Sequence, residues 1–447
     1  MFQSLFKKLY AKSIYSSNKI DEIKAAIFKK FPSLEIMDSD DDNLVDYGKD
    51  ESDLGVYIPD IVVKPKNTKE VSQILKLANS KNICAVPRGA GSGRVGGALP
   101  IFGGIVISLE YFNHINEINS RAFYSIVEPG VITDTFSKTV EQQGLFYPPD
   151  PASIEYCSIG GNVACNAGGP RAFKYGVTRN YVLGLQCVLS DGEIISVGTK
   201  TIKGVAGYDL TSLLVGSEGT LGIITSITLR LLAKPIERKT FLAFFSNGKS
   251  AQNFIISVIQ KGITPATMEW LDHTCLMVFA KALNRHLYHH EKSPKVALLI
   301  ELDEHISSQD MFAVIVEMIH SLATNNHALE LLFIDNQVES SHIWNVRRQM
   351  SRLLRQLKEN KYSEDIVVPI DRLNDFQNGA YALSDKYGIL VANFGHAGDG
   401  NFHLNILFDE SEREKAMSLA KDLYQLVISL EGTIAGEHGI SLLKRDI

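Results

Sequence analysis

Two histidines separated by six residues are the side chains of this sequence that most clearly could bind a metal ion. They are His396 and His403, within Asn393-Phe-Gly-His-Ala-Gly-Asp-Gly-Asn-Phe-His-Leu-Asn405. Two β-rich runs flank Gly398-Asp-Gly-Asn401, whose residue types are typical of a hairpin turn. The sequence therefore predicts that both histidines lie on paired strands.

The register of this hairpin decides whether the two imidazoles meet. If Ala397 faces Phe402 across the turn, the two histidines lie directly opposite each other, with Cβ atoms about 5 Å apart on one face of the sheet. Two imidazoles placed in this way can chelate one cation. Asn405 projects from the same face, because side chains alternate along a strand. The alternative interpretation is a polar hairpin with two incidental histidines.

A second motif, Gly432-Thr-Ile-Ala-Gly-Glu-His-Gly439, places Glu437 directly before His438. A glutamate beside two histidines completes a three-ligand site with an open position, which is the pattern of a catalytic metal rather than a structural one. These ligand types favour Zn²⁺, and they leave Mn²⁺ and Fe²⁺ open. Taken alone, an adjacent Glu-His pair is also found in ordinary surface turns.

A glycine-rich stretch, Pro87-Arg-Gly-Ala-Gly-Ser-Gly-Arg-Val-Gly-Gly-Ala-Leu-Pro100, indicates a nucleotide site. Glycine lets successive backbone N–H groups turn toward a ligand, and such a concavity suits a phosphate or pyrophosphate. The pattern Gly91-Ser-Gly-Arg-Val-Gly96 also matches a nicotinamide Rossmann fingerprint. That fold needs a helix at the loop, but residues 94–104 show no helical period and a strand is predicted after them. A purely structural turn is the third interpretation.

Two further blocks accompany this loop. The first comprises Pro148-Pro-Asp-Pro-Ala-Ser153, residues 158–170 and Lys174-Tyr-Gly-Val-Thr-Arg179, and the second comprises residues 207–223. Together with the loop, these blocks resemble FAD enzymes of the vanillyl-alcohol oxidase/p-cresol methylhydroxylase (PCMH) type. The resemblance is to the branch of D-lactate dehydrogenase, the glycolate oxidase FAD subunit and D-2-hydroxyglutarate dehydrogenase, and it runs from about Ile61 to the C-terminus.

The resemblance implies a bound FAD. The cofactor is expected to be non-covalent, because no histidine stands in the loop of residues 87–100. The implied FAD-binding residues are Arg88, Gly89, Ala90, Gly91, Ser92, Gly93, Pro149, Asp150, Ser153, Gly160, Gly161, Asn162, Ala164, Asn166, Gly168, Tyr175, Gly176, Glu218, Gly219, Gly222 and Ile223.

The resemblance also implies roles in catalysis. The segment Trp344-Asn-Val-Arg347 matches the family pattern Trp-x-x-Arg, and a guanidinium suits bidentate binding of a carboxylate. The implied roles are metal ligand for His396, His403 and Glu437, base for His438, and substrate contact for Arg347 and Asn405.

The implied reaction is the oxidation of a D-2-hydroxy acid, of the lactate, glycolate or 2-hydroxyglutarate class, to the 2-oxo acid. The metal would act as a Lewis acid and FAD would supply the redox chemistry. Electrons would then pass to a quinone, a cytochrome, a flavoprotein, an iron–sulfur subunit or O₂, and a homodimer or a heteromeric oxidase complex is expected. Two alternatives stay open: another enzyme on this scaffold, such as an ether-lipid synthase or sugar-acid oxidase, and an inactive or structural flavoprotein subunit of a glycolate or lactate oxidase.

Composition narrows the class of protein. A chain of 447 residues with 45% hydrophobic residues predicts two globular domains. The net charge of -6 and the pI near 6.1 argue against nucleic-acid binding. Five cysteines without a C-x-x-C pair indicate a reducing compartment and no ferredoxin-like cluster. No apolar run reaches the ~18 residues of a membrane span.

The first residues leave the location open. Apolar side chains from Phe2 to Leu9 have helical spacing, with lysines nearby, and no acid precedes Asp21. This pattern fits a first helix packed on the body, a peripheral membrane helix or a transit peptide. The expected location is cytoplasmic, with peripheral association to the inner membrane as an option, and mitochondrial is the alternative.

The predicted fold class is α+β, with a two-subdomain PCMH-type FAD-binding domain and a cap domain that has an antiparallel sheet and helices on one face. The predicted boundaries are 1–58 for an N-terminal arm, 59–234 for the FAD-binding domain, 235–430 for the cap or substrate domain and 431–447 for a truncated C-terminal return segment. One continuous helix is predicted over 340–358. Because only eight residues follow Gly439, a looser flavin pocket is expected.

Overall fold

The chain forms two compact units. The computed structural model describes residues 13–288, 293–304 and 309–445. The first unit contains three segments, which are the described residues up to Ala167, the range Val177–Ala233 and the described residues from Glu437 on. The second unit, called the cap unit, contains Gly168–Gly176 and Lys234–Gly436. The helical pattern from Phe2 to Leu9 lies outside the described residues.

Short elements joined by glycine and proline turns make up the first part of the chain. Two 3₁₀ segments, Asp42–Gly48 and Thr178–Tyr181, lie among them. In chain order the elements are α1 (Ser17–Lys30), β1 (Glu35–Met37), β2 (Ile61–Lys64), α2 (Thr68–Ser80), β3 (Ala85–Arg88), β4 (Ile105–Ser108), β5 (Ile115–Asn119), β6 (Tyr124–Val127), α3 (Thr133–Glu141), β7 (Leu145–Phe146), α4 (Ile159–Cys165), α5 (Ala172–Tyr175), β8 (Val182–Val188), β9 (Ile194–Gly198), α6 (Leu210–Leu214), β10 (Ile223–Arg230) and β11 (Leu232–Ala233).

Two main sheets organise the first unit. Four strands have the order β1-β2-β4-β3, with β2 and β3 both parallel to β4, and α2 buries Val71, Ile74 and Ala78 against this sheet. Five antiparallel strands have the order β5-β6-β10-β8-β9, and β7 pairs with β11. The glycine-rich loop after β3 leads to strand β4 rather than to a helix, so it lacks the strand–loop–helix arrangement of a Rossmann fingerprint.

The cap unit alternates strands with longer helices. Two 3₁₀ turns, Ile370–Arg372 and Glu410–Glu412, precede helices. The elements are β12 (Glu237–Phe245), α7 (Gly248–Gln260), β13 (Thr267–Asp272), α8 (His273–Ala282), β14 (Val296–Glu304), α9 (Gln309–Asn325), β15 (Ala328–Ile334), α10 (Gln337–Arg348), α11 (Met350–Leu354), β16 (Asn360–Val367), α12 (Leu373–Tyr387), β17 (Leu390–His396), β18 (Asn401–Phe408) and α13 (Arg413–Ser429).

The cap strands form one seven-stranded sheet in the order β15-β12-β14-β13-β17-β18-β16, with antiparallel neighbours throughout. Alternate residues of each strand face opposite sides. On one side Trp270 and Phe402 pack in a core with α7, α9, α12 and α13. On the other side Leu271 and Phe394 pack in a second core with α8, α10 and α11.

The α+β class and the antiparallel cap sheet are confirmed. The prediction of helices on one face is incomplete, because α8, α10 and α11 cover the second face. The helix predicted over residues 340–358 is two helices, since Gln349 leaves the helical conformation with ψ of 0° between α10 and α11. Among the described residues, no helix is both long enough and apolar enough to cross a membrane.

Candidate active site

Polar side chains interrupt the second, α10-covered face of the cap sheet on four adjacent strands. Each is at most 7% exposed. Burying polar groups costs free energy unless they are paired, so their partners define the site. The four residues are Glu269 of β13, His396 of β17, His403 of β18 and Asp365 of β16, with Glu269 paired to His396 and His403 paired to Asp365 in the sheet register.

The register of the β17–β18 hairpin differs from the predicted one. Phe394, rather than His396, lies opposite His403. The prediction that Ala397 faces Phe402 and that the two histidines are directly opposed is therefore wrong. The slip amounts to two residues, and a slip by an even number leaves every side chain on its original face. The histidines are consequently diagonal neighbours on one face, as a shared site requires.

The two imidazoles approach through their Nε2 atoms. His396 Nε2 and His403 Nε2 are 3.3 Å apart, with the ring planes at 88°. Two nitrogens that each lie ~2.0–2.1 Å from one tetrahedral Zn²⁺ are themselves separated by about 3.3 Å. A direct N–H···N hydrogen bond would span the same distance, so the protonation of the two rings decides between these arrangements.

Glu269 binds the other nitrogen of the His396 ring. Its Oε1 lies 2.6 Å from His396 Nδ1, and its Oε2 forms an ion pair with Arg347 Nη2. Burial alone would raise the pKa of this carboxyl, but the charge of Arg347 and the hydrogen bonds from His396 and Arg347 outweigh that effect and the pKa is lowered. Glu269 is therefore ionised and accepts a hydrogen bond from His396 Nδ1.

Asp365 occupies the corresponding position beside His403, but at a greater distance. Its Oδ1 lies 3.8 Å from His403 Nδ1, beyond hydrogen-bond distance. The two carboxylate oxygens instead accept hydrogen bonds from Asn401 Nδ2 at 2.8 Å and from the backbone N–H of Gly436 at 2.9 Å. Asp365 therefore anchors the chain segment that leads to Glu437.

That segment lies along the edge strand β16. Val367 and Thr433 exchange two backbone hydrogen bonds of 2.9 Å. At Gly436 a Cβ would lie 2.4 Å from Asn401 Nδ2, so the close approach requires glycine. Glu437 and His438 follow directly and group with the first unit, and Glu437 Oε1 is 3.7 Å from His438 Nε2.

Arg347 lies in the last turn of α10, a helix that Asn336 caps with its side chain. Arg347 is 4% exposed, and its guanidinium carbon lies 4.5 Å from the centroid of the Phe394 ring. Its Nε is buried and has no hydrogen-bond acceptor among the described residues. The predicted carboxylate clamp thus has Glu269 as its protein partner, and its contact with a substrate stays a prediction.

Asn405 is completely buried and its amide is fully engaged by the protein. Its Nδ2 donates to His403 O at 2.8 Å and to Ala392 O at 3.3 Å. Its Oδ1 accepts from Lys361 Nζ at 3.0 Å and from Ser363 Oγ at 3.3 Å. The amide therefore supports its neighbours in the sheet, and the expected substrate contact of Asn405 stays a prediction.

Parts of the three glycine-rich blocks come together in the first unit. A Cβ on Gly89 would lie 2.4 Å from Ser158 Oγ, and a Cβ on Gly219 would lie 2.8 Å from Pro87 Cγ. The loop after β3, the start of α4 and the turn before β10 therefore meet without room for side chains. A closely packed backbone rich in glycine suits the pyrophosphate of FAD, so these residues fit the cofactor.

The predicted FAD-binding residues are divided between the units. Those of the first unit are Arg88 at the end of β3, Gly89–Gly93 in the loop after it, Pro149, Asp150 and Ser153 before α4, Gly160, Gly161, Asn162 and Ala164 in α4, Asn166 at its C-terminal cap, Glu218, Gly219 and Gly222 before β10, and Ile223 at the start of β10. Gly168, Tyr175 and Gly176 lie in the cap unit.

Tyr175 is held within the cap by a buried acid. Its hydroxyl donates to Asp303 Oδ2 at 2.7 Å, and Lys174 Nζ binds Asp303 Oδ1 at 2.6 Å. Burial and the neighbouring carboxylate raise the pKa of Tyr175 well above its ordinary value. The hydroxyl therefore stays protonated, and the contact of Tyr175 with FAD stays a prediction.

Glu269 and Asp365 belong to no motif that predicts a site from the sequence. Each is an acid in a strand that was not predicted, Thr267–Asp272 and Asn360–Val367. The available signal was an acid among large apolar residues, as in Met268-Glu-Trp270, since a buried acid needs a partner.

Comparison with known proteins agrees with these features. Residues 59–198 match the family model described as FAD binding domain, and residues 234–447 match the model for FAD linked oxidases, C-terminal domain. The chain belongs to the FAD-linked oxidase family and is an FAD-dependent oxidoreductase, which confirms the resemblance found in its motifs.

Individual relatives define the branch. The glycolate oxidase subunit GlcD of Bacillus subtilis is 39% identical over 392 residues, which are 87% of this chain and 82% of that protein. A D-lactate dehydrogenase of Anaerostipes hadrus is 31% identical over 440 residues, or 97% and 92% of the two chains. The solved structure of p-cresol methylhydroxylase with substrate bound has a TM-score of 0.77 at 14% identity, covering 96% of this chain and 91% of that one. This last similarity concerns the fold alone.

Proposed function

We propose that the protein is an FAD-dependent, metal-assisted dehydrogenase of D-2-hydroxy acids. The observation that carries this proposal is the buried pair of His396 and His403, with Nε2 atoms 3.3 Å apart. The names of the relatives, glycolate oxidase subunit and D-lactate dehydrogenase, support the substrate class.

His396, His403 and Glu437 would be the metal ligands. Glu437 follows Gly436, whose N–H is bound to Asp365, and Asp365 is the sheet neighbour of His403. Chain continuity thus supports a role for Glu437 beside the histidines. The bound metal would supply Lewis-acid polarisation of the substrate oxygens. The ligand types favour Zn²⁺, with Mn²⁺ and Fe²⁺ as the alternatives.

Arg347 and His438 would act on the substrate itself. Arg347 would bind its carboxylate, because the guanidinium keeps an unused buried donor and is oriented by Glu269 and Phe394. His438 would accept the hydroxyl proton as the 2-hydroxy acid becomes the 2-oxo acid. FAD, when bound, supplies the two-electron oxidant for the C2–H bond.

The reduced cofactor would be reoxidised by an external acceptor, such as a quinone, a cytochrome or a partner subunit. The name of the Bacillus relative, a glycolate oxidase subunit, supports a heteromeric complex. A cytoplasmic location with peripheral binding to the inner membrane would suit such acceptors, and a mitochondrial location is the alternative.

The test is anaerobic reduction of the purified, FAD-containing protein with single hydroxy acids. D-lactate, D-2-hydroxyglutarate, glycolate and the L-enantiomers would each be added while the flavin absorbance is followed. At least one D-acid or glycolate is expected to bleach the flavin much faster than any L-acid. Propionate, which has a carboxylate but no hydroxyl, serves as the matched control. The proposal fails if dithionite bleaches the flavin and none of the acids does.

A further inference from the structure

One buried carboxylate connects the proposed metal ligand His396 with the cation Arg347. Glu269 Oε1 lies 2.6 Å from His396 Nδ1, and Oε2 contacts Arg347 Nη2. We propose that Glu269 is a positioning residue that directs the Nε2 lone pair of His396 toward the metal and holds Arg347 in place for the substrate carboxylate. This inference rests on the proposed function, and it concerns a residue outside the predicted ligand set.

The hydrogen-bond chemistry of Glu269 determines the tautomer of His396. Because its second oxygen is paired with the guanidinium of Arg347, the carboxylate of Glu269 acts as an acceptor, and the hydrogen between the two groups belongs to His396 Nδ1. A neutral imidazole has a single N–H, and Nε2 therefore carries a lone pair. This lone pair faces His403 Nε2 at 3.3 Å, the spacing that one ion between them would produce.

The position of Glu269 in the sheet makes it a rigid support. Strand β13 is internal, and Glu269 pairs with Leu299 of β14 on one side and with His396 of β17 on the other. The side chain is 0% exposed. A site residue on an internal strand is held more precisely than one on a loop. The same backbone pairing that fixes Glu269 also fixes the backbone of the histidine that it orients.

Asp365 does not provide the same support to His403. It is 3.8 Å from His403 Nδ1, and its oxygens are used by Asn401 and Gly436. Glu269 therefore makes the closer carboxylate–histidine contact of the two. Such a contact fixes the ring orientation and raises the basicity of a ligand histidine, and its loss typically lowers metal affinity about 10- to 100-fold.

The experiment compares Glu269→Gln with a matched control, Glu364→Gln. Glu364 is a buried glutamate of the same sheet whose carboxylate accepts from Tyr424 on the opposite, α13-covered face. The Kd for Zn²⁺, and separately for Mn²⁺, would be measured on metal-stripped, FAD-containing protein by competition with a chromophoric chelator. The expected result is a Kd about 10- to 100-fold higher for Glu269→Gln and within about twofold of wild type for Glu364→Gln.

The outcomes separate this inference from the proposed function. If wild-type protein binds neither metal, the proposed function fails and the inference fails with it. If wild type binds metal and Glu269→Gln binds it equally well, the inference alone is overturned.

A second measurement covers a Glu269→Gln variant that does not fold. In ¹⁵N-histidine-labelled, metal-stripped wild type, the His396 signals would be assigned by their loss in His396→Gln. A protonated Nδ1 with an unprotonated Nε2 supports the inference. The opposite tautomer overturns it.

Discussion

Three buried side chains, His396, Glu269 and Arg347, form a continuous chain of hydrogen bonds in the cap unit. Removing one member of a buried ion pair leaves an uncompensated charge and costs about 3–5 kcal/mol. The network is therefore sensitive to truncation, and its functional role is best probed with substitutions that keep charge or shape.

Arg347→Lys is the substitution that keeps the charge but loses the planar fork of the guanidinium. A lysine cannot bind Glu269 and a substrate carboxylate with the same geometry. Losing a hydrogen bond to a charged group costs about 1.5–3 kcal/mol, which corresponds to a KM for the hydroxy acid that is raised roughly tenfold or more. Steady-state kinetics would measure this change, with FAD and metal contents unchanged.

The control for this variant is Arg348→Lys, the next residue of the same helix, which is less buried than Arg347. Its KM is expected to stay near that of wild type. An unchanged KM in Arg347→Lys would remove this arginine from the substrate site.

Residue type and spacing alone predict part of the proposed active site. His396, His403, Glu437 and His438 have spacings that predict metal chemistry. Glu269 is a lone acid in its strand, and its partners are 78 and 127 residues away in sequence. Only the pairing of β13 with β17 and the packing of α10 bring them together, so no local pattern predicts the contact.

At the scale of elements, the β17–β18 hairpin shows how a wrong register can still give the right face. The turn residues predicted the hairpin, and the histidines share one face because the error was an even number of residues. The turn comprises residues 397–400, and Gly400 has a φ of +81° with no room for a Cβ beside Val368 O. Local packing of this kind is not visible in the sequence, so the turn residues alone do not specify the register.

The segment from Gly432 to Gly436 gives an element-scale prediction. In Gly436→Ala, the added Cβ would lie 2.4 Å from Asn401 Nδ2 and 2.8 Å from Val367 Cγ2. The segment is expected to move away from Asp365 and to take Glu437 with it. Bound metal, measured by elemental analysis, should then fall to a small fraction of the wild-type content while FAD is retained.

Gly204→Ala is the matched control, because a Cβ there would have its nearest neighbour at 3.9 Å. It should keep its metal. Full metal content in Gly436→Ala would show that the contact with Asp365 does not support the metal site.

At the scale of the whole molecule, the two units differ in how much of them the sequence predicts. The FAD-binding blocks are glycine-rich segments whose predicted function lies in the local backbone, and the match to the FAD binding domain over residues 59–198 includes the first two of them. The cap depends on non-local strand pairing, so two strands of its sheet, β13 and β16, were not predicted. The end of the chain belongs to the first unit, where Leu442 N and Leu443 N bind Val95 O at 2.9 and 3.1 Å.

The proposed function requires that the paired histidines of the cap hold a metal on which substrate oxidation depends. The most direct test is the rate of anaerobic flavin reduction by the best hydroxy acid, in the holoprotein before chelation, after chelation and after return of Zn²⁺ or Mn²⁺. His403→Ala and the exposed His320→Ala would be compared as site and control variants. Chelation and His403→Ala are expected to abolish reduction while FAD stays bound, whereas added metal restores only the chelated wild type and His320→Ala behaves as wild type. Unchanged reduction by a metal-free wild-type protein would rule out a metal-dependent oxidation.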